Sequence, residues 1–344
     1  MDINILTEQE AATLKEWIAT SSHIVLVGHK SPDGDAVGAS LGWAEYLRYL
    51  GKNPTVVMPD AYPDFLHWLP NNEKIMRYDK HPEEVKSLFS VADLVFYLDF
   101  SEETRVDDMT PVLQNCKARK VIIDHHPGGG LEGALVLSRL DASSTCELIF
   151  RIVWQLGGFE FMTQHYAAPV YCGMMTDTGG FTYNSNDPAI YFIISQLLTK
   201  HINKDKIYRN VFNNYSSWAI RLRGYIMYQK LNVFEDLHAS YYTITRKELK
   251  SFHYIKGDAE GLVNEPLRIK NMKLSISMRE DTDQENLIWL SLRSVDDFPC
   301  DKMSQDFFNG GGHPNASGGK LFCSIDEAEK VVRKAIKAYS SLLQ

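Results

Sequence analysis

The sequence predicts an α/β fold with two domains: an N-terminal domain built on a mainly parallel sheet and a smaller C-terminal α/β domain with a mixed sheet. Short apolar strands alternate with helical segments through the first half of the chain, as they do in βαβ units. The 344 residues are enough for two domains. Beyond about residue 231 strands follow one another more closely, and a polar turn at 279–286 joins two of them as a hairpin.

Local signals mark the elements of the first domain, predicted to span 1–190. A capping box at 7–10 opens an apolar helical stripe, and Gly51 ends a second helix that begins near Ala36. The predicted strands are the apolar runs 23–28, 54–58, 94–98 and 120–123. Further helices are expected around 82–89, 109–117, 144–156, 163–175 and 187–200.

A helical linker at 191–232 is expected to lead into the second domain, 233–344. The linker is predicted to contain helices at 203–214 and 217–230. Strands are predicted at 241–245, 272–278, 287–292 and 320–323, before a final helix at 326–343. The glycine-rich run 309–319 precedes the last strand. A flexible surface turn and a phosphate-binding loop are both consistent with its composition.

Composition and charge exclude several classes of protein. The net charge of -8 argues against a general nucleic-acid coating protein, which needs a broad basic face. Five scattered cysteines, without a C-x-x-C pair, indicate reduced thiols. No secretory signal pattern or apolar run of about 18 residues is found, so we expect a cytoplasmic protein without a membrane partner.

Four segments end in side chains that can bind a metal ion. These are His29, Asp33 and Asp35 after the first strand, Asp99 after the third, Asp124, His125 and His126 after the fourth, and Asp177. Taken singly, Asp99 also reads as a strand-end cap, and Asp33 and Asp177 as turn residues. Parallel strands bring their carboxyl ends to one edge, where neighbouring carboxylates repel one another unless cations lie between them. Oxygen and imidazole donors favour Mn²⁺, with Mg²⁺ or Co²⁺ as substitutes.

Together these motifs resemble the DHH phosphoesterase superfamily. The quoted residues are His29-Lys30-Ser31-Pro32-Asp33-Gly34-Asp35-Ala36, Asp99, Asp124-His125-His126 and Asp177. The run from Gly310 to Gly318 resembles the motif of the DHH-associated domain, subfamily 1. The resemblance covers nearly the whole chain. Within the superfamily it is nearest to the bacterial nano-RNase and pAp-phosphatase group.

The resemblance implies a site with two metal ions. His29 and Asp33 would hold one ion, Asp35, His125 and Asp177 the other, and Asp99 would bridge both. Asp124 would support the ligand His125, and His126 would face the substrate as a phosphate contact or proton donor. The expected catalytic residues are therefore His126, Asp99 and Asp124. A hydroxide shared by the two metals would attack phosphorus.

The resemblance also implies a substrate grip on the second domain, facing the metals across a cleft. Its expected residues are Arg293, Ser294, Gly310, Gly311, Gly312 and His313, with Arg268 as a weaker candidate. Glycines let backbone N–H groups approach a phosphate, and a guanidinium can bind one with two hydrogen bonds.

The implied function is hydrolysis of short oligoribonucleotides (nanoRNA), including dinucleotides such as pApA, to mononucleotides, and of 3'-phosphoadenosine 5'-phosphate to AMP and phosphate. The alternative is a phosphoanhydride hydrolase acting on pyrophosphate or polyphosphate. A non-catalytic binding module is disfavoured, because every ligand position is intact. We expect short RNA or small nucleotides as partners, no long duplex, and a homodimer from the base rate of symmetric oligomers.

Overall fold

The structure is a computed structural model that describes residues 3–128, 131, 133–255 and 257–344. It divides the chain into two compact units, Met1–Asn214 and Tyr215–Gln344. The segment 191–232, expected as a linker, is shared between them. Ile193 and Ile207 lie in the core of the first unit, and Leu222 lies in a core of the second. Burial of these apolar side chains fixes each helix to a unit.

The first unit contains a six-stranded sheet in which every pair of neighbours is parallel. The strands are β1 (Ile24–Val27), β2 (Thr55–Met58), β3 (Met76–Arg77), β4 (Leu94–Leu98), β5 (Arg119–Asp124) and β6 (Leu135–Ser138), in the order β3-β2-β1-β4-β5-β6. The predicted parallel sheet is thereby confirmed. The two edge strands β3 and β6 were not predicted, because they are short and mostly half-buried, so they lack a long apolar run.

Helices cover both faces of this sheet. They are α1 (Glu8–Thr20), α2 (Gly34–Tyr49), α3 (Pro82–Val91), α4 (Thr110–Asn115), α5 (Thr145–Gln155), α6 (Gln164–Asp177), α7 (Pro188–Leu198) and α8 (Lys204–Phe212). Leu26 faces the core formed with α2, α5 and α6, whereas its neighbour Val27 faces the core formed with α3 and α4. This alternation explains why β1 and β4 are apolar at every position.

Small residues let α2, α5 and α6 approach closely beneath the carboxyl edge of the sheet. A β-carbon on Gly38 would lie 2.5 Å from the carbonyl oxygen of Pro169. A β-carbon on Gly173 would lie 2.2 Å from Cys146 Sγ and 3.0 Å from a carboxylate oxygen of Asp35. Glycine at both positions therefore sets the spacing of the helices that carry Asp35 and Asp177.

We predict that Gly173→Ala destabilises the protein by about 1–3 kcal/mol, because the added methyl group overpacks a closed contact. Urea unfolding would measure the loss. Gly224→Ala is a matched control, since Gly224 is an exposed helical residue with no atom within 4 Å of the added carbon. That control should be neutral or up to ~1 kcal/mol more stable. Equal stability of both variants would refute the packing argument.

The second unit contains a six-stranded mixed sheet. Its strands are β7 (Asn232–Phe234), β8 (Ala239–Ile244), β9 (Leu274–Glu280), β10 (Leu287–Ser294), β11 (Gly311–His313) and β12 (Ala316–Phe322), in the order β11-β12-β10-β9-β8-β7. The pair β8–β9 is parallel and the other pairs are antiparallel. The predicted mixed sheet and the β9–β10 hairpin are confirmed.

Within its described residues, the second unit contains four α-helices: α9 (Ser217–Tyr225), α10 (Arg246–Ser251), α11 (Cys300–Phe308) and α12 (Ile325–Ala338). Neither α10 nor α11 was predicted, because each is short and buries few apolar residues. Within the described residues, no helix combines the length and apolar character that crossing a membrane requires. All five cysteines are free thiols.

The glycine run 309–319 forms the edge hairpin of β11 and the start of β12, rather than a flexible turn or a loop at a helix start. Gly310 lies against β12, where a β-carbon would come 1.9 Å from the carbonyl oxygen of Gly318. Gly312 has φ +143°, and a β-carbon there would come 2.6 Å from the carbonyl oxygen of Ala316. Backbone packing therefore requires these two glycines. Gly311 is different, because a β-carbon there would meet no atom closer than 3.8 Å.

Candidate metal centre

The metal-type side chains converge at the carboxyl edge of the parallel sheet. The strand order reverses around β1, and open α/β sheets bind ligands at such a switch point. The chain leaving β1 carries His29, Asp33 and Asp35, β4 ends before Asp99, and β5 leads into Asp124 and the histidine pair. Asp177 does not follow a strand but is the last residue of helix α6.

A first ligand group consists of His29, Asp33 and Asp99, whose donor atoms lie within 4.8 Å of one another. His29 Nε2 is 3.4 Å from Asp99 Oδ2 and 3.9 Å from Asp33 Oδ1. The other ring nitrogen, Nδ1, is 2.8 Å from the carbonyl oxygen of Lys30, to which it donates. That hydrogen bond leaves Nε2 as the ring nitrogen available to a metal ion. Asp33 also caps α2 by accepting the backbone N–H groups of Asp35 and Ala36.

A second group consists of Asp35, His125 and Asp177. His125 Nε2 lies 3.2 Å from Asp177 Oδ2 and 3.8 Å from Asp35 Oδ2. Asp35 is fully buried, and its two oxygens accept the backbone N–H groups of Thr145 and Cys146 at 2.6 and 2.8 Å. The N-terminus of α5 therefore stabilises this carboxylate with two hydrogen bonds and the positive end of the helix dipole.

Asp99 lies between the two groups, with one oxygen toward each. Its Oδ2 atom faces His29, and its Oδ1 atom is 3.5 Å from His125 Nε2. The backbone at Asp99 is left-handed, with φ +69°. Aspartate tolerates this conformation better than most residues. The geometry is that expected of a carboxylate shared by two cations.

The electrostatics of the site favour bound cations. Burial opposes protonation of His29, but its hydrogen bond to Asp99 and the charge of Asp33 outweigh burial and raise its pKa to about 9. Burial likewise opposes a charged His125, yet Asp177, Asp99 and Asp35 raise its pKa to about 11. Burial and the nearby carboxylates raise the pKa of Asp35 well above its ordinary value. So dense a set of acids needs positive charge, and its oxygen and imidazole donors suit divalent metals.

Asp124 supports His126 rather than His125, which corrects the expectation from the sequence. Asp124 Oδ1 accepts the His126 Nδ1–H at 2.8 Å and the His126 backbone N–H at 3.1 Å. His125 Nδ1 instead lies 3.3 Å from the carbonyl oxygen of Ala142. Asp124 and His126 are two residues apart in an extended segment and therefore share a side. His126 Nδ1 also lies 3.4 Å from Asp99 Oδ1.

Thr145 is a residue of the site that the sequence did not reveal. Its side chain is fully buried, and its hydroxyl donates to Asp99 Oδ1 at 2.9 Å. The sequence indicated only that a helix begins beside Ser144, whose hydroxyl accepts the N–H of Glu147. Thr145 therefore holds Asp99 with its side chain and Asp35 with its backbone.

We predict that Thr145→Val lowers metal affinity or turnover by about 10- to 100-fold, because the isosteric side chain cannot donate to Asp99. Metal titration followed by calorimetry, together with kcat, would measure the effect. Thr145→Ser should retain most of both, and the exposed Thr199→Val is the control. Wild-type metal affinity and kcat in Thr145→Val would contradict this role.

In the second unit, the structure separates the residues expected to grip the substrate. The register places Arg293 beside Ala316 and Ala316 beside His313, so all three share one face of the sheet. Ser294 points to the opposite face, where its buried hydroxyl donates to the carbonyl oxygen of Phe298. Arg268 lies outside the sheet and pairs with Glu265 at 3.1 Å, with a side chain that is 79% exposed. Of the expected side chains, this face therefore holds Arg293 and His313.

Comparisons with known proteins agree with this architecture. The model of the DHH family, N-terminal domain, matches residues 23–174. The bifunctional oligoribonuclease and PAP phosphatase NrnA of Bacillus subtilis is 27% identical over 314 residues, covering 90% of this chain and 92% of that protein. Its namesake from Thermus thermophilus is 26% identical over 320 residues, covering 93% and 90%.

Among solved structures, an exopolyphosphatase-related protein from Bacteroides fragilis superimposes with a TM-score of 0.93 at 43% identity, covering 98% of each chain. RecJ from Thermus thermophilus shares the fold alone, with a TM-score of 0.56 at 13% identity. Sequence, topology and the arrangement of the acidic and imidazole side chains agree with one another. The chain belongs to the DHH family of phosphoesterases and is a hydrolase acting on phosphoester bonds.

Proposed function

We propose that the protein is a Mn²⁺-dependent phosphoesterase that hydrolyses short oligoribonucleotides to mononucleotides and 3'-phosphoadenosine 5'-phosphate to AMP and phosphate. The observation that carries the proposal is the position of Asp99 between two ligand groups. The names of the relatives from Bacillus and Thermus supply the substrate class. Free thiols on all five cysteines favour a reducing compartment, which we take to be the cytoplasm.

Each residue of the site has a distinct task in this proposal. His29, Asp33 and Asp99 would hold one cation, and Asp35, His125 and Asp177 would hold the other. When bound, two divalent cations supply the positive charge that activates a water and offsets the charge of the phosphate oxygens. Helix α5 keeps Asp35 and Asp99 in place through Thr145 and Cys146.

We assign proton transfer to His126. Asp124 accepts the Nδ1–H of His126 and thereby fixes the orientation of the ring. The second ring nitrogen, Nε2, is the atom we assign to protonating the leaving oxygen as its bond to phosphorus breaks. Arg293 and His313, which share a face of the second sheet, bind the phosphate or ribose of the substrate.

A second candidate is hydrolysis of phosphoanhydrides in polyphosphate or pyrophosphate. The specific observation in its favour is the name of the Bacteroides relative, an exopolyphosphatase-related protein, at 43% identity. The same pair of ligand groups would serve this reaction, because both reactions displace an oxygen from phosphorus. The two candidate functions differ in whether the protein also binds a nucleoside of the substrate.

One parallel assay distinguishes the candidates. Protein loaded with Mn²⁺ is given 3'-phosphoadenosine 5'-phosphate, pApA, pyrophosphate and long-chain polyphosphate, and kcat/KM is measured for each. We expect kcat/KM for the two nucleotides to exceed that for the inorganic substrates by at least about 100-fold, or ~2.7 kcal/mol. Preference for the inorganic substrates would overturn the proposal, and no turnover of any would indicate a binding module.

A further inference from the structure

The open face of the second sheet is organised in three rows across the strands. The first row contains Arg293, Ala316 and His313. The second row has small side chains on β12, β10 and β9, namely Gly318, Ser291 and Ser277, and continues to the buried Tyr242 on β8. The third row contains Arg279, Trp289 and Lys320, which are direct neighbours on β9, β10 and β12. None of the third-row residues was singled out by the sequence.

The third row combines cations with exposed aromatic rings. Trp289 is 40% exposed, and its indole N–H donates to Asp281 Oδ2 at 2.7 Å, which fixes one edge of the ring. The ammonium of Lys320 lies 5.8 Å from the ring centre of Phe322, which is 62% exposed. An exposed indole held by a hydrogen bond, with basic side chains beside it, is a platform on which a nucleobase can stack.

The charge of the row also suits a nucleic acid. The guanidinium of Arg279 donates to the hydroxyl of Tyr254. Among the described residues, neither Arg279 nor Lys320 forms an ion pair. The nearby carboxylate of Asp281 accepts from Trp289 and from the backbone N–H groups of Asp283 and Gln284, so three donors offset its charge. In a chain with a net charge of -8, two cations flanking an open aromatic ring form a distinct local site.

The spacing of the rows sets the length of ligand that can reach the third one. Arg293 and Trp289 are four residues apart on the same strand, a distance of about 13 Å. The two phosphates of 3'-phosphoadenosine 5'-phosphate are attached to one ribose and cannot span that distance. An oligonucleotide can span it, with its backbone over the small side chains of the second row.

We propose that Arg279, Trp289 and Lys320 form a distal subsite for single-stranded oligoribonucleotides, in which Trp289 stacks on a base and the two cations bind a phosphate. The inference rests on the proposed function, because it assumes that one end of the same ligand is held at Arg293. It assigns different contacts to the two substrates: oligoribonucleotides use the third row, and 3'-phosphoadenosine 5'-phosphate does not.

Binding without turnover tests the subsite. A fluorescein-labelled pentaribonucleotide is titrated with the full chain in EDTA and followed by anisotropy, and unlabelled 3'-phosphoadenosine 5'-phosphate serves as competitor. We expect Trp289→Ala to weaken pentanucleotide binding about 10-fold, and Trp289→Phe to keep most of it. Lys320→Gln should lower the slope of log K against log salt by ~0.7. The inhibition constant of the competitor should stay within about twofold in every variant.

Controls separate the subsite from folding and from the proposed function. Lys334→Ala removes an exposed charge from α12, which packs on the opposite face of the sheet, and should bind as wild type. Unchanged pentanucleotide binding in Trp289→Ala, or equal weakening of both ligands, would overturn the inference. A difference in molecular mass between wild type and Trp289→Ala, measured by sedimentation, would also overturn it, since the face would then join two copies of the chain. Turnover of both substrates by the wild-type protein in Mn²⁺, measured in a separate assay, tests the proposed function itself.

Discussion

Asp99→Asn is expected to lower kcat by roughly 10³-fold or more, about 4 kcal/mol of transition-state stabilisation. Asparagine has the same shape and tolerates the left-handed backbone at this position, where φ is +69°. It lacks the negative charge, however, and its amide nitrogen cannot bind a cation. Because Asp99 belongs to one ligand group and adjoins the other, bound metal should fall to one ion or fewer per chain. Elemental analysis of protein equilibrated with Mn²⁺ would measure this.

The control for this variant is Asp296→Asn. Asp296 also has a left-handed backbone, with φ +53°, but it is exposed and belongs to the second unit. It should keep full activity and metal content, which isolates the effect of the Asp99 carboxylate from that of the backbone. Full turnover by Asp99→Asn would show that the two ligand groups do not act through a shared carboxylate.

His126→Ala should give the second-largest effect, a fall in kcat of about 10²- to 10³-fold with metal content near that of wild type. The imidazole is hydrogen-bonded to Asp124, and we assign it to the leaving oxygen rather than to a cation. Asp124→Asn should lower kcat as well, because the ring loses its orienting acceptor. The double variant should be little worse than His126→Ala, since the two side chains act as one unit.

The metal content of His126→Ala decides whether His126 is the proton donor or a metal ligand. The donor atoms of Asp99, Asp124 and His126 also lie within 4.8 Å of one another, so they could hold an ion themselves. Loss of metal from His126→Ala, as great as that from Asp99→Asn, would make His126 a ligand and remove its assignment as the proton donor.

Much of the first unit followed from the sequence because its signals are local. Central strands of a parallel sheet are buried on both faces, so β1 and β4 are unbroken apolar runs and β5 contains the apolar run 121–123. The rule that parallel strands place their carboxyl ends at one edge of the sheet then brings the ends of those strands together. That rule is sufficient to predict Asp99 beside His29 and His125, where the structure places it.

Contacts between segments that are distant in the chain could not be predicted in the same way. Thr145 and Asp99 are 46 positions apart, and nothing in a helix-capping pattern says which carboxylate the helix will meet. The third row of the second sheet is similar. Arg279, Trp289 and Lys320 become neighbours only through the register of three strands, and a slip of one residue would turn each side chain to the other face.

The sequence by itself determined the family, the parallel sheet and the set of metal-type side chains, because motif spacing and apolar runs are properties of short segments. Only the tertiary structure decided that Asp124 accepts from His126, that Ser294 turns away from Arg293, and that the glycine run is a β-hairpin. Those outcomes depend on which side of a strand a residue takes and on what packs there. Both are fixed by long-range pairing of the backbone, which the local pattern of residues does not determine.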